Sequence, residues 1–293
     1  MEHSYNTNDF CPICDHKESK HFISATDHNV SNDTFNIAEC LACGLKYSNP
    51  KIKEENIGAY YKSENYISHS NTNKGIVNKI YHIIRKYQIK KKEKIISGLC
   101  KEKTLIDIGC GTGDYLNYCK EKKWMVCGLE PDENAKAFGE NNYQLNIYSD
   151  LKSISNKKVN IITLWHSLEH IYNLKNDLKL MYDLLNTNGH LVVAVPNCNS
   201  FDAKYYKNYW AAYDVPIHLY HFNKNNIQDL AKMFGFTVIK IKPMIFDSFY
   251  ISMLSEKKKN SFMLKGLIIG FISNLKAIRS TNHSSLIYIL RKN

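Results

Sequence analysis

The chain has no apolar run of about 18 residues or more, the length a bilayer-spanning helix needs. The longest apolar stretch of its C-terminal region, Gly266 to Ile272, falls well short of that. Residues Met1 to Asn6 lack the basic, apolar leader of an export signal, so a cytoplasmic protein is expected. Its nine cysteines are then expected as thiols or metal ligands, not as a disulfide framework. Acidic residues are in the minority: 28 Asp and Glu against 39 Lys and Arg leave a net charge of +11 and a pI near 9.0. That excess permits an anionic partner, whether nucleic acid, a sugar nucleotide or an acidic membrane surface. The lysines are scattered along the chain rather than gathered, so charge alone does not point to nucleic acid. Also missing after the first Gly-x-Gly is the Gly-x-Gly-x-x-Gly spacing typical of a dinucleotide pyrophosphate loop.

What stands in its place is Thr104-Leu105-Ile106-Asp107-Ile108-Gly109-Cys110-Gly111-Thr112-Gly113-Asp114. The apolar run around Ile106 reads as a buried parallel strand. Three alternate glycines end it, and Tyr115 to Lys123 reads as a helix. Strand, glycine turn and helix bring backbone N–H groups close to a ligand, and a Cβ would block that approach. Taken alone, the pattern is equally that of a tight turn packing a helix on a strand. Two additions favour a ligand: Asp107 at the strand end can meet a cationic group, and the next strand, Trp124 to Leu129, ends in Glu130, an acid placed to accept ribose hydroxyls.

Asp107 to Gly113, followed by Gly128-Leu129-Glu130-Pro131, resembles motifs I and II of the class I S-adenosylmethionine (SAM)-dependent methyltransferases. The resemblance implies an α/β fold with a seven-stranded, mostly parallel Rossmann-like sheet. It implies SAM contacts at Asp107, Gly109, Cys110, Gly111, Gly113, Glu130 and Pro131. Asp150, after a third strand near Gln144 to Tyr148, falls where the family meets the adenine. Trp165-His166-Ser167-Leu168-Glu169-His170 and the later Val195-Pro196-Asn197 resemble the quinone-biosynthesis O-methyltransferases, and adds Trp165 to the cofactor set. The closest likeness is to the branch carrying an N-terminal zinc ribbon. In that branch a segment like Tyr60-Tyr61 with Tyr66 to His69 covers the cofactor, so Tyr66 and His69 are expected near the SAM carboxylate, unless they only pack the connector.

The ribbon itself rests on Cys11-Pro12-Ile13-Cys14 and Cys40-Leu41-Ala42-Cys43. Two Cys-x-x-Cys knuckles place four thiolates around one structural Zn2+ and leave no open position for catalysis. Free thiols or a redox pair are the alternatives. The chain then divides into a zinc ribbon at 1–50, a helical connector or cap at 51–100, and a methyltransferase domain at 101–293 with an insertion near 244–283. Ile76, Ile80, Ile83, Ile84 and Tyr87 recur at helical spacing in the connector, and Lys90 to Lys94 read as a solvated face.

Transfer to an oxygen or carbon atom needs a base, and histidine is the residue whose pKa suits the task. His166, just after the fourth strand, is the candidate nearest the methyl group. His218 and His221 follow the fifth strand, as base and orienter or as loop packing. Glu169 and His170 are expected to cap or brace the following helix. The element Asp214-Val215-Pro216-Ile217-His218-Leu219-Tyr220-His221-Phe222 resembles that branch but carries Ile217 where it usually has arginine. Asn-Pro-Pro-Tyr and Asp-Pro-Pro-Tyr are absent, which argues against an exocyclic nucleobase amine. The acceptor is expected to be a small or carrier-linked metabolite, such as a sugar nucleotide, a quinone or a lipid-like molecule. The alternatives are RNA methylation and a non-catalytic scaffold or membrane-associated module. Phe262 to Ile278, apolar on nearly all faces, is expected as a helix over the substrate pocket or as a membrane or dimer contact.

Overall fold

The computed structural model describes residues 5–61, 76–154 and 157–293. A short ladder pairs β1 (Tyr5–Asn6) with β5 (Lys51–Ile52). Between them, β2 (Ser19–Thr26), β3 (Thr34–Cys40) and β4 (Lys46–Ser48) form an antiparallel sheet beside the four knuckle cysteines. After α1 (Glu54–Ile57) and the long α2 (Ile76–Ser97), the main domain alternates strand and helix: β6 (Thr104–Ile108), α3 (Asp114–Glu121), β7 (Met125–Leu129), α4 (Glu133–Tyr143), β8 (Ile147–Tyr148), β9 (Val159–Trp165), α5 (Leu174–Leu184) and β10 (Leu185–Pro196). Helix α6 (Phe201–Tyr206), β11 (Tyr220–His221), α7 (Lys224–Met233) and β12 (Phe236–Pro243) follow. An inserted hairpin, α8 (Ile245–Lys258) and α9 (Lys265–Ser280), precedes β13 (Ser285–Lys292).

The seven-stranded sheet has the order β12-β13-β10-β9-β6-β7-β8. Only β13 runs against the rest, inserted antiparallel between β10 and β12. The apolar runs of β6 and β9 lie in the middle, where both sheet faces are covered; Leu105, Ile106, Ile161, Ile162 and Leu164 expose essentially nothing. Each such side chain contributes on the order of 1.5–3 kcal/mol by leaving water. The chain runs from β6 outward to β8, then returns to the other side of β6 as β9. That reversal opens a crevice at the carboxyl ends of β6 and β9, the place where open α/β sheets bind ligands.

Some local expectations change. Helix α5 ends at Leu184, and Asn188-Gly189 sits at an irregularity early in β10. Lys90 to Lys94 lie inside α2, and Lys92, expected on a solvated face, is half-buried. Asn223 does cap α7, exchanging backbone and side-chain hydrogen bonds with Asn226. The loop after β10 leaves the main sheet altogether: its β11 pairs with β4, giving a ribbon sheet of order β11-β4-β3-β2.

Candidate functional site

The glycine turn forms a cradle at the end of β6. Gly109, Gly111 and Gly113 have φ of 73°, 55° and 80°, a region that L side chains rarely adopt. A Cβ at Gly109 would lie 2.6 Å from the Ser167 Cβ, so the β6 and β9 loops touch through the missing side chain. The Ser167 hydroxyl locks that contact by donating to the Ile108 carbonyl at 2.6 Å. Glu130, half-buried at the end of β7, turns toward the cradle: its carboxylate accepts from the Gly111 N–H at 2.8 Å and the Asp132 N–H at 3.0 Å. Arg85 of α2 meets Asp114 at 2.6 Å and ties that helix to the first turn of α3.

Asp107 is buried, and Thr163 of the neighbouring strand donates to it at 2.5 Å. Burial pushes its carboxyl up to about 7, against the opposing pull of Thr163 and of Lys92. Lys92 lies over the Trp165 ring at 4.7 Å and near Tyr115 at 5.9 Å, and burial lowers its ammonium pKa. The Trp165 and Tyr115 rings meet edge to face at 5.8 Å, and the buried Tyr115 hydroxyl lies beside the Trp165 indole and the Cys119 thiol. Cys110 is half-buried, and burial pushes its thiol well up. Pro131 and Asp150, which follow β7 and β8, are exposed, and Asp150 accepts from the Ser153 N–H and hydroxyl, both at 2.9 Å.

A histidine cluster occupies the end of β9. His166 holds a φ of 59° and places Nε2 at 3.0 Å from Asp247 and Nδ1 at 3.5 Å from Glu169. Burial alone would lower its pKa; the two carboxylates outweigh that and raise it to about 9. Glu169 is fully buried. Burial disfavours its charge, but His166 and the other imidazoles hold its carboxyl down at about 2. Neither of its oxygens makes a hydrogen bond; the approach of His166 is an ion pair only.

His170 and His218 meet edge to face at 4.7 Å. The Nδ1 of His170 is 3.1 Å from the Ile217 carbonyl and 3.0 Å from the Tyr61 hydroxyl; that of His218 is 2.9 Å from the Ala212 carbonyl. A carbonyl only accepts, so each Nδ1 carries the proton and each Nε2 keeps its lone pair. Burial first, and the neighbouring imidazole second, lower His170 to about 4; burial lowers His218 as well. Glu169, His170 and His218 each bring one ligand atom within 4.8 Å of the others. His221 is buried against Tyr213 in β11, with both ring nitrogens unpartnered and its pKa driven well down by burial.

The ribbon cysteines converge. Sγ of Cys11 lies 3.5 Å from that of Cys43, and Sγ of Cys14 lies 3.6 Å from that of Cys40. Four thiolates at about 2.3 Å from one Zn2+ stand close to 4 Å apart, so the set fits a tetrahedral ion. Burial pushes the Cys11 thiol up to about 11, a cost that a bound cation removes. The ribbon also grips the histidine loop. The Ser48 hydroxyl donates to the His218 carbonyl at 3.0 Å, the Ser48 N–H to the Leu219 carbonyl at 3.0 Å, and the Asn226 amide to the Cys43 carbonyl at 3.0 Å.

The crevice therefore gathers Asp107, the three glycines, Glu130, Trp165 and His166, with His170 and His218 clustered beside Glu169. Tyr66 and His69 lie outside the described residues. Glu169 and His170 form a short 3-10 turn rather than part of α5, and they belong to the histidine cluster. Ile217 is buried, and only its carbonyl reaches the cluster. Sequence reasoning passed over Lys92, read as solvated, and Asp247, in a segment without a motif. Only the lone acid in the apolar first turn of α8 hinted at the latter.

Residues 81–241, more than half of the chain, match a family described as "Methyltransferase domain". No curated protein matches. Among solved structures, a SAM-dependent methyltransferase from Archaeoglobus fulgidus is 20% identical, with a TM-score of 0.48 over 71% of this chain and 94% of that one. Mycolic acid cyclopropane synthase CmaA1, in complex with SAH and CTAB, is 15% identical, with a TM-score of 0.50 over 71% of this chain and 85% of that one. At 15% identity the likeness to the second is one of fold alone.

Proposed function

We propose, for a chain that belongs to the methyltransferase domain family, that it is a class I enzyme transferring the methyl group of SAM to an oxygen or carbon atom of a small or carrier-linked acceptor. SAM supplies an electrophilic methyl on a sulfonium, and the protein's task is to align it, exclude water and manage the acceptor proton. The residues fit that cofactor: the glycine turn, with positive φ at Gly109, Gly111 and Gly113, is faced by the Glu130 carboxylate, an acceptor suited to ribose hydroxyls. In this reading Glu130 takes the ribose hydroxyls, Asp107 and Lys92 face the amino-acid end, and Asp150 and Pro131 border the adenine. Four thiolates of the ribbon hold a structural Zn2+.

The observation that carries the acceptor class is the polarity of the histidine cluster. Glu169 offers two unbonded oxygens, and His170 and His218 offer Nε2 lone pairs. Apart from the His166 imidazolium, the cluster is rich in proton acceptors. A hydroxyl, or a carbon acid, supplies the missing proton. His218, neutral through burial, is the candidate base; His166, held cationic by Asp247 and Glu169, attracts the anion that forms. An amine acceptor, cationic at neutral pH, would meet His166 with like charge.

The test is transfer from methyl-labelled SAM into a metabolite extract, resolved by mass. The expected product carries the label as an alkali-stable ether or a carbon-bound methyl. Label recovered only on amines or in RNA would overturn the acceptor class. His218→Asn should lower kcat by about 100-fold or more while leaving SAM affinity within a few-fold.

A further inference from the structure

The α8–α9 hairpin presents a face that the reaction does not use. Helix α9 buries one stripe, Gly266, Ile269, Gly270, Ser273 and Ala277; its two glycines meet α8, and Ser273 donates to Asp202 of α6 at 2.7 Å. The two backbones approach so closely that a Cβ at Gly270 would lie 2.7 Å from the Phe249 Cα. The opposite stripe is apolar and open to solvent: Phe262 is 71% exposed, Ile268 61%, Phe271 54% and Ile278 71%, with Leu264 and Leu275 between them. At 3.6 residues per turn Ile268, Phe271, Leu275 and Ile278 share one side of the helix, Phe262 and Leu264 precede its first turn, and Lys265, Lys276 and Arg279 follow along one flank.

The charge around this face is segregated. Residues 244–283 carry six cations, Lys257, Lys258, Lys259, Lys265, Lys276 and Arg279, and two carboxylates. Both carboxylates are turned inward. Asp247 pairs with His166 at 3.0 Å, and Glu256 is fully buried and accepts from the Tyr206 hydroxyl at 3.0 Å. Lys258 is turned inward as well, 4.0 Å from Asp214, and Lys276 lies over the Phe201 ring at 4.1 Å; the exposed charges of the hairpin, Lys257, Lys259, Lys265, Lys276 and Arg279, are all positive. An isologous contact with a second copy would set cations against cations. No helix among the described residues is long and apolar enough to cross a membrane. A surface that is apolar at its centre and cationic at its edge matches the headgroup region of an anionic bilayer.

We propose that the α8–α9 hairpin docks the protein on an anionic membrane surface, with Phe262, Ile268, Phe271 and Ile278 entering the headgroup layer and the flanking lysines facing lipid phosphates. The first turn of α8 carries Asp247 against His166, so docking would set the crevice beside the bilayer. The docking surface stands independently of methyl transfer and of the acceptor.

The test is co-sedimentation of the full chain with phosphatidylglycerol–phosphatidylcholine vesicles, with phosphatidylcholine vesicles as the control. The expected result is binding to the anionic vesicles that weakens as salt rises. Ile268→Asp with Phe271→Asp should weaken partition by about tenfold or more, with an unchanged melting temperature because both side chains are exposed. Lys276→Glu with Arg279→Glu should remove the preference for anionic over neutral vesicles. No binding to anionic vesicles by the folded chain would overturn the proposal. So would a wild-type dimer in sedimentation that the Ile268 and Phe271 changes dissociate, since the face would then belong to a second copy.

Discussion

His166 and Asp247 carry the most direct test at the scale of single residues. The folded-state pKa of His166, about 9, lies above its ordinary 6.5. Its contribution to stability is thus complete below pH 6.5 and is lost as pH rises through 9. Glu169, at about 2 against an ordinary 4.5, contributes above pH 4.5 and loses that contribution as pH falls through 2. The gap in melting temperature between the wild-type chain and Asp247→Asn should therefore be widest near pH 5–6.5 and shrink toward pH 10. A gap that does not vary with pH would mean the pair is not ionised. Gly109→Ala faces both a positive φ and the Ser167 Cβ, so it should cost about 1–3 kcal/mol in denaturant unfolding. Adding Ser167→Gly should restore the steric share but not the backbone share. The glycines, Asp107 and Glu130 were legible in the sequence because backbone approach and charge placement there depend on residues local in the chain. Asp247 was not, because its meaning arises only when a hairpin distant in sequence folds over the end of β9. Lys92 misled for a related reason: a lysine run looks solvated until tertiary packing selects one member to turn inward.

Among the elements, the ribbon does more than close on itself. Through Ser48, Asn226 and the β4–β11 ladder it holds the backbone of the loop bearing His218. Metal content measured on the purified chain should be about one zinc per chain, as a four-thiolate site requires. Cys14→Ser should lower the melting temperature, and it should reduce methyl transfer more than SAM affinity, because the cradle and the ribbon lie at opposite ends of the histidine cluster. Equal losses in both would mean general unfolding. The knuckles could be read from spacing alone; the added strand β11 could not. Tyr220-His221 is too short to show alternation and pairs with residues far away in the chain. Helix α9 shows the limit of periodicity as well. Its apolar residues cover more than one face, and small residues, not large ones, mark the side that packs.

The whole molecule is a doubly wound sheet whose strand order reverses beside β6, with a ribbon on one side and a hairpin over the crevice. The resemblance carried by the motifs implied the seven-stranded, mostly parallel sheet, and the apolar run around Ile106 marked its central strand. The arrangement of ribbon and hairpin depends on long-range contacts with no local signature. The central claim is that the cradle between β6 and β7 holds SAM. Calorimetry of the full chain with SAM tests it most directly. One saturable site with a Kd on the order of micromolar is expected, weakened at least about tenfold in Glu130→Gln, since one lost charged hydrogen bond is worth about 1.5–3 kcal/mol. A well-folded chain that gives no binding heat at several temperatures, or that binds SAM unchanged after Glu130→Gln and Asp107→Asn, would contradict it.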